Sequence, residues 1–117
     1  MIFVKLGDKE GITVSLCNAH ARRKFEPIAK ASKTNGTAHQ AMRYFRRLYK
    51  IEANAKRLGL TADQRYELRQ KESKPIVMEF HQFLLHSKLC VLPQSTLGKA
   101  IAYSLTHWEG LTRFLDH

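Results

Sequence analysis

The chain has 117 residues, room for one domain and too few for two. An apolar share of 44% describes a globular chain and excludes a disordered one. Lys and Arg number 20 against 10 Asp and Glu, a formal charge of +10 that points to a polyanionic partner, nucleic acid ahead of an anionic membrane. No run nears the ~18 apolar residues of a membrane span, and Met1–Lys5 is too short for a secretory signal, so no membrane partner and a cytoplasmic location are expected. Cys17 and Cys90 are too few for a disulfide framework and read as thiols.

Residues 2–6 and 12–16 read as strands. Ile12, Val14 and Leu16 alternate with Thr13 and Ser15, and residues 7–11 are turn material, so a short N-terminal β-hairpin is expected. From Asn18, a good N-cap, the pattern turns helical to about Ser32, with Pro27 expected to kink or restart that helix. Thr37-x-x-Gln40 reads as a capping box for the longest helix, which Gly59 ends.

At 100° per residue, Ala41, Phe45, Leu48, Ala55 and Leu58 share one side of that helix. His39, Arg43, Arg46, Arg47, Lys50, Asn54 and Arg57 share the other, a basic stripe roughly 25–30 Å long. Thr61-x-x-Gln64 is a second capping box, opening a short helix to about Glu72. Ser73 and Pro75 start another, with Ile76, Val77, Phe80, Phe83, Leu84 and Ser87 at i, i+3, i+4 spacing. Pro93 breaks the chain, Ser95 caps a fifth helix, and Gly110 interrupts it before a last apolar turn. The expected fold is a mainly α domain of five or six helices with the short N-terminal hairpin.

Four segments carry a resemblance. Cys17-Asn18-Ala19-His20-Ala21-Arg22-Arg23-Lys24-Phe25 resembles the C-x-A-H-A-R-R-K-F segment of bacterial insertion sequence 66 family transposases. Leu48-Tyr49-x-Ile51-Glu52 is similar to that family's L-Y-x-I-E, and Arg65-x-x-x-Arg69-x-x-x-Ser73-x-Pro75 to its R-x-x-x-R-x-x-x-S-x-P. Leu92-Pro93-x-Ser95-x-Leu97-Gly98-Lys99-Ala100-Ile101-x-Tyr103 is similar to its L-P-x-S-x-L-G-K-A-I-x-Y, with Trp108 and Leu111 at its W-x-x-L. Each piece alone is weak, but four in order over residues 11–117 are specific.

The resemblance implies DNA transposition by a ribonuclease-H-like enzyme whose two Asp and one Glu hold two divalent metal ions, magnesium by expectation, for phosphodiester transfer. It implies that this chain is the helical insertion between the second Asp and the Glu. The family's D-G-Y and its N-N…E-R are absent from the sequence, and Asp8 lacks the D-G-Y context. On that reading residues 1–17 are a strand or hairpin remnant of the catalytic fold and residues 18–117 the insertion domain. No catalytic residue is assigned, no metal or cofactor is expected in this chain, and no activity is expected from it alone.

Several residues remain to be weighed. Cys17-x-x-His20 is half of a zinc site by spacing, and a second half would need His86-x-x-x-Cys90 to fold onto it; a small packed thiol and a capping imidazole is the plainer reading. Arg22, Arg23 and Lys24, read as the first turn of a helix, oppose its dipole and so suit phosphate contacts, against a plain solvated turn. Arg43, Arg46, Arg47, Lys50 and Arg57 form an almost acid-free face suited to a duplex backbone, against an ordinary polar face. Glu52 falls on the apolar side of its helix and needs a partner. Arg65 or Arg69, four apart on the next helix, would supply a structural ion pair. The expected partner is duplex DNA. A protein–protein or self-association module and a free-standing RNA-binding protein stay open beside it.

Overall fold

The computed structural model describes residues 6–32 and 36–116, with side chains from Asn18 onward. Its helices are α1 (Leu6–Ala31), α2 (Thr37–Arg57), α3 (Ala62–Leu68), α4 (Lys74–Cys90), α5 (Thr96–Thr106) and α6 (Trp108–Thr112). A π-turn, Arg69–Ser73, joins α3 to α4, and a 3-10 turn, Arg113–Asp116, follows α6.

The expected hairpin does not form. Residues 12–16 lie inside α1, no strand occurs among the described residues, and residues 2–5 fall outside them. A two-stranded hairpin has no sheet among the described residues to cover it and is marginal alone, whereas extending an existing helix costs no new nucleus. Helix α1 runs without a break past residue 18, so Asn18 is not a cap. Its buried side chain instead donates through Nδ2 to the Leu111 carbonyl at 3.3 Å, tying α1 to α6. Pro27 is accommodated within α1.

The core is built by α1, α2, α4 and α5. Phe25, Phe45, Phe80, Leu84 and Ile101 are almost wholly buried, and Ala21, Ala38, Ala41 and Ala100 let the helices approach. Phe80 is central: it meets Phe45 edge-on at 5.1 Å, stacks on Tyr44 at 4.8 Å and meets Trp108 edge-on at 5.6 Å. Such geometries match the aromatic quadrupole and add to burial. A second cluster, Leu48, Val77, Phe114 and Leu115, holds the C-terminal turn.

Local chemistry sets the helix ends, with two departures from the sequence pattern. Thr37 does not cap α2; Gly36 is the N-cap residue and no side chain bonds there. Ser73 does stand at the N-cap position of α4, with Pro75 in its first turn, though it is buried at the end of the π-turn and its side chain makes no cap bond. Pro75 has no N–H to offer the Lys71 carbonyl, and the wider π register accommodates that loss. The break after α5 falls at His107, and Gly110 lies inside α6. The Thr61 capping box does form: its hydroxyl accepts from Gln64 N at 3.2 Å, and the Thr61 N–H donates to Gln64 Oε1 at 2.9 Å. At the end of α2, Gly59 takes φ +64°, and the Gly59 and Leu60 N–H groups donate back to Lys56 and Ala55 carbonyls. That is the left-handed stop only glycine adopts without strain.

The π-turn is the junction of the fold. Arg69 grips Glu52 of α2 through two bonds, Nε to Oε2 at 3.0 Å and Nη2 to Oε1 at 2.7 Å. Its Nη1 donates to the Phe114 carbonyl at 3.4 Å, and its guanidinium lies 5.8 Å from the Phe114 ring centroid. Gln70 donates to the Leu115 carbonyl. One arginine thus ties α2, the π-turn and the C-terminal turn. Glu52 retains about a third of its exposure (35%) while Arg69 keeps 16%, so Glu52 is less buried than the apolar side of α2 suggests. Arg65 lies away from this contact, its buried Nε without a hydrogen-bond partner among the described residues.

Two outcomes follow for stability. A Cβ at Gly98 would sit 2.2 Å from the Leu92 carbonyl oxygen and 2.9 Å from that of Pro93, both backbone atoms. Gly98→Ala should therefore cost about 3 kcal/mol in urea unfolding; a variant as stable as the parent contradicts that close approach. Glu52→Ala leaves Arg69 largely desolvated without its carboxylate and should cost about 2–3 kcal/mol, with Glu52→Gln costing less. An Ala variant within 0.5 kcal/mol of the parent, roughly the effect of a neutral surface change, contradicts the clasp.

Candidate nucleic-acid interface

Helix α2 turns Ala38, Ala41, Met42, Phe45, Leu48 and Ala55 inward. Geometry then forces Arg43, Arg46, Arg47, Lys50 and Arg57 outward, and all five are exposed. The run from Arg43 to Arg57 rises about 21 Å. Glu52 is the only acid in α2 and faces the π-turn, so no carboxylate of this helix interrupts the basic face.

The charges on this face are not equivalent. Arg47 sits 3.4 Å from Glu79 of α4 and 5.9 Å from the Tyr44 ring centroid, drawing it to the α4 side. Arg43 also interacts within the chain. Arg46, Lys50 and Arg57 form no ion pair among the described residues. His39 is half-buried with a buried Nδ1 that lacks a hydrogen-bond partner among the described residues, and contributes least.

Helix α1 splits the remaining basic residues. Arg22, Arg23 and Lys24 lie deep inside α1 rather than in a first turn, so no unfavourable dipole marks them. Arg22 pairs with Glu26 at 3.4 Å and lies 5.8 Å from the Tyr49 ring, beside α2. Lys24 points to the other neighbour, 5.0 Å from the Tyr103 ring of α5. Arg23 is exposed. The three adjacent charges therefore do not act as one cluster; only Arg22 adjoins the α2 face.

Cys17 and His20 both lie on α1, and His20 is exposed; the Cys17 side chain is outside the described residues. His86 and Cys90 adjoin on α4, Nε2 to Sγ 4.0 Å. Helix α1 packs chiefly on α2, α5 and α6 rather than α4, so the fold does not stack the two half-sites directly. Among the described residues no group of three or more His, Cys, Asp or Glu is placed to hold a metal ion.

Two tyrosines flank the basic face. Burial raises the Tyr49 hydroxyl pKa, with Arg22 pulling the other way. Burial raises that of Tyr44 above 10.0, helped by its hydrogen bond to Glu79 and that carboxylate's charge and opposed by Arg47. Tyr44, Glu79 and Arg47 thus form a polar strut between α2 and α4 at the edge of the face. Sequence periodicity does not single out Tyr44. The strut depends on Glu79, 35 residues downstream, which no local pattern pairs with it.

These features define a basic helical module in which five exposed cations share one face of α2, with further exposed cations on the other helices. Comparison with known proteins gives its kinship. The chain belongs to the transposase IS66 family, whose family model matches residues 2–117. It is similar to three proteins of Sinorhizobium fredii (strain NBRC 101917 / NGR234). It is 36% identical to uncharacterized protein y4jD over 90% of this chain, 32% to y4hP over 89% and 33% to y4qI over 95%. The chain spans about 20% of the length of each. No solved structure matches it. No helix among the described residues is long and apolar enough to cross a membrane.

The strut carries a pH signature. A tyrosine whose folded pKa exceeds its unfolded value stabilises the fold below the unfolded pKa and loses that contribution as pH rises through the folded one. Stability should fall above about pH 10, and Tyr44→Phe, which keeps the stack on Phe80, should make the fall shallower. Urea midpoints between about pH 8 and 11 test this; parallel declines in both proteins contradict it.

Proposed function

We propose that this chain is the helical DNA-contacting segment of an IS66-family transposase, holding element DNA by its phosphate backbone while catalytic carboxylates outside these residues do the chemistry. The observation that carries the reading is the exposed, acid-free face of α2. Arg46, Lys50 and Arg57 have no acidic partner among the described residues, and Arg43 and Arg47 flank them. A rigid helix with cations along about 21 Å suits a duplex carrying one charge per ~1.7 Å of axis. The face carries no aromatic platform, which disfavours single-strand stacking. Trp108 packs against Phe80 and His81 instead of lying open to a base.

A second reading, a protein-contact module, has an observation of its own. Met78, Leu85 and Leu89 lie exposed on the outer side of α4, and Leu92 follows at its end, 76% exposed. Apolar side chains in that number on one side suit a protein partner. The two readings use different faces and separate by salt dependence.

Fluorescence anisotropy with a labelled 20-bp duplex across a salt series decides between them. With about five phosphates contacted, log K should fall with log salt at a slope near −4 to −5. Replacing Arg46, Lys50 and Arg57 together with Ala should flatten the slope by about 2–3 units. An unchanged slope in that variant overturns the assignment to α2. Equal competition by duplex RNA moves the partner to RNA.

A further inference from the structure

We propose that the cleft between α1 and α5 is a second anion site, shaped for a phosphate group and built by Lys24 and Lys99 with the hydroxyls of Thr96 and Tyr103. The cleft has a volume of about 370 Å³ and is lined by those four residues and Ala100. It lies on the opposite side of α1 from the α2 face. Arg22 leans over Tyr49 of α2, while Lys24, two residues on, leans over Tyr103 of α5.

The charge pattern singles this cleft out. Among the described residues, Arg22 and Lys30 share Glu26, Arg47 meets Glu79, and Arg69 grips Glu52, while Arg65 has no ion pair and lines no such cleft. Lys24 and Lys99 instead line one concavity and neither has an ion pair among the described residues. Two exposed lysines lining one concavity put like charges on the same cleft, and an anion bound between them would be attracted by both. The Lys24 ammonium lies 5.0 Å from the Tyr103 centroid, so the ring's face directs the flexible side chain toward the cleft.

The donor set identifies the ligand class. Lysine ammoniums are compact point charges with three donors each, and two hydroxyls can add further bonds to oxygens. No planar guanidinium fork lines the cleft, so a phosphate bound by point charges fits better than a carboxylate gripped in two-point fashion. The depression next to it, about 450 Å³ and lined by Pro27, Ile28, Ala31, Ser32 and the shared Thr96, carries no charged side chain. That places the anion at the Lys24–Lys99 end.

The phosphate can come from a nucleic-acid backbone or from a free ion, and only the first source rests on the DNA reading above. If the source is DNA, the protein meets phosphates on both sides of α1, through α2 and through this cleft.

The test titrates the whole chain, in phosphate-free buffer, with inorganic phosphate and separately with a 20-bp duplex. Backbone amide NMR shifts report the first and the salt slope the second. Phosphate should move the amides of residues 96–103 and Lys24 saturably, with Kd about 1–10 mM. A Lys24→Gln/Lys99→Gln variant, which keeps most of each stem, should abolish those shifts and flatten the duplex slope by about 2 units. Phosphate shifts with an unchanged slope assign the site to a free phosphate. A flattened slope without phosphate shifts assigns it to the DNA backbone. Absence of both effects overturns the site. Because the Arg46/Lys50/Arg57 variant leaves the cleft intact, failure of the α2 assignment leaves this result readable.

Discussion

A two-point grip of Arg69 on Glu52 is the constraint on which the lower half of the fold turns. Three elements far apart in sequence meet at one guanidinium: α2 through the carboxylate, the π-turn through the arginine itself, and the C-terminal turn through the Phe114 carbonyl. An isolated surface ion pair contributes little, because water competes and two side chains must be ordered. This pair differs in that Arg69 is mostly shielded, both carboxylate oxygens are engaged, and a third acceptor takes the remaining edge. Phe114 and Leu115, seated by this contact and by Gln70, close the apolar cluster with Leu48 and Val77.

Seen from that junction, the family motifs divide by purpose. L-Y-x-I-E and R-x-x-x-R-x-x-x-S-x-P meet in the clasp and the π-turn, so Glu52 and Arg69 are paired with each other and Ser73 is buried inside the fold. L-P-x-S-x-L-G-K supplies a turn. Ser95 Oγ accepts from the Gly98 N–H at 2.9 Å and donates to the Leu92 carbonyl at 2.6 Å, and Gly98 leaves room for that carbonyl. The charge outside those motif contacts includes the outward face of α2, Arg23, and the two lysines that line the cleft between α1 and α5. A strongly basic sequence thus resolves into cations paired within the fold and cations left open to a ligand.

Much of this was legible in the residues. The helical periodicity of α2, its basic face, the Thr61 and Ser95 caps and the glycine stop at Gly59 are local features, set within a few residues by hydrogen bonding and φ. Arg69 is legible only as one of two partners for Glu52, because Arg65 and Arg69 are one helical turn apart and the choice is made by how α3 and the C-terminal turn pack beside α2. The hairpin reading rests on three alternating residues, Ile12, Val14 and Leu16, and apolar alternation carries little weight where no sheet exists among the described residues to receive it. Thr37 and Asn18 were plausible caps by identity, but a cap is decided by where the helix starts, and α1 starts earlier while α2 is entered from Gly36. The Lys24–Lys99 cleft joins residues 75 apart in the chain, which no spacing rule brings together.

The central claim is that the clasp arginine is structural and the α2 arginines are for a partner. Nitrogen-15 NMR of arginine Nε–H groups during a duplex DNA titration tests it most directly, since each side chain reports its own surroundings. The account predicts that the Arg46 and Arg57 resonances move and lose solvent exchange as duplex is added, while Arg69, already protected in the free protein, stays in place. Movement of Arg69 with no change at Arg46 and Arg57 would contradict it.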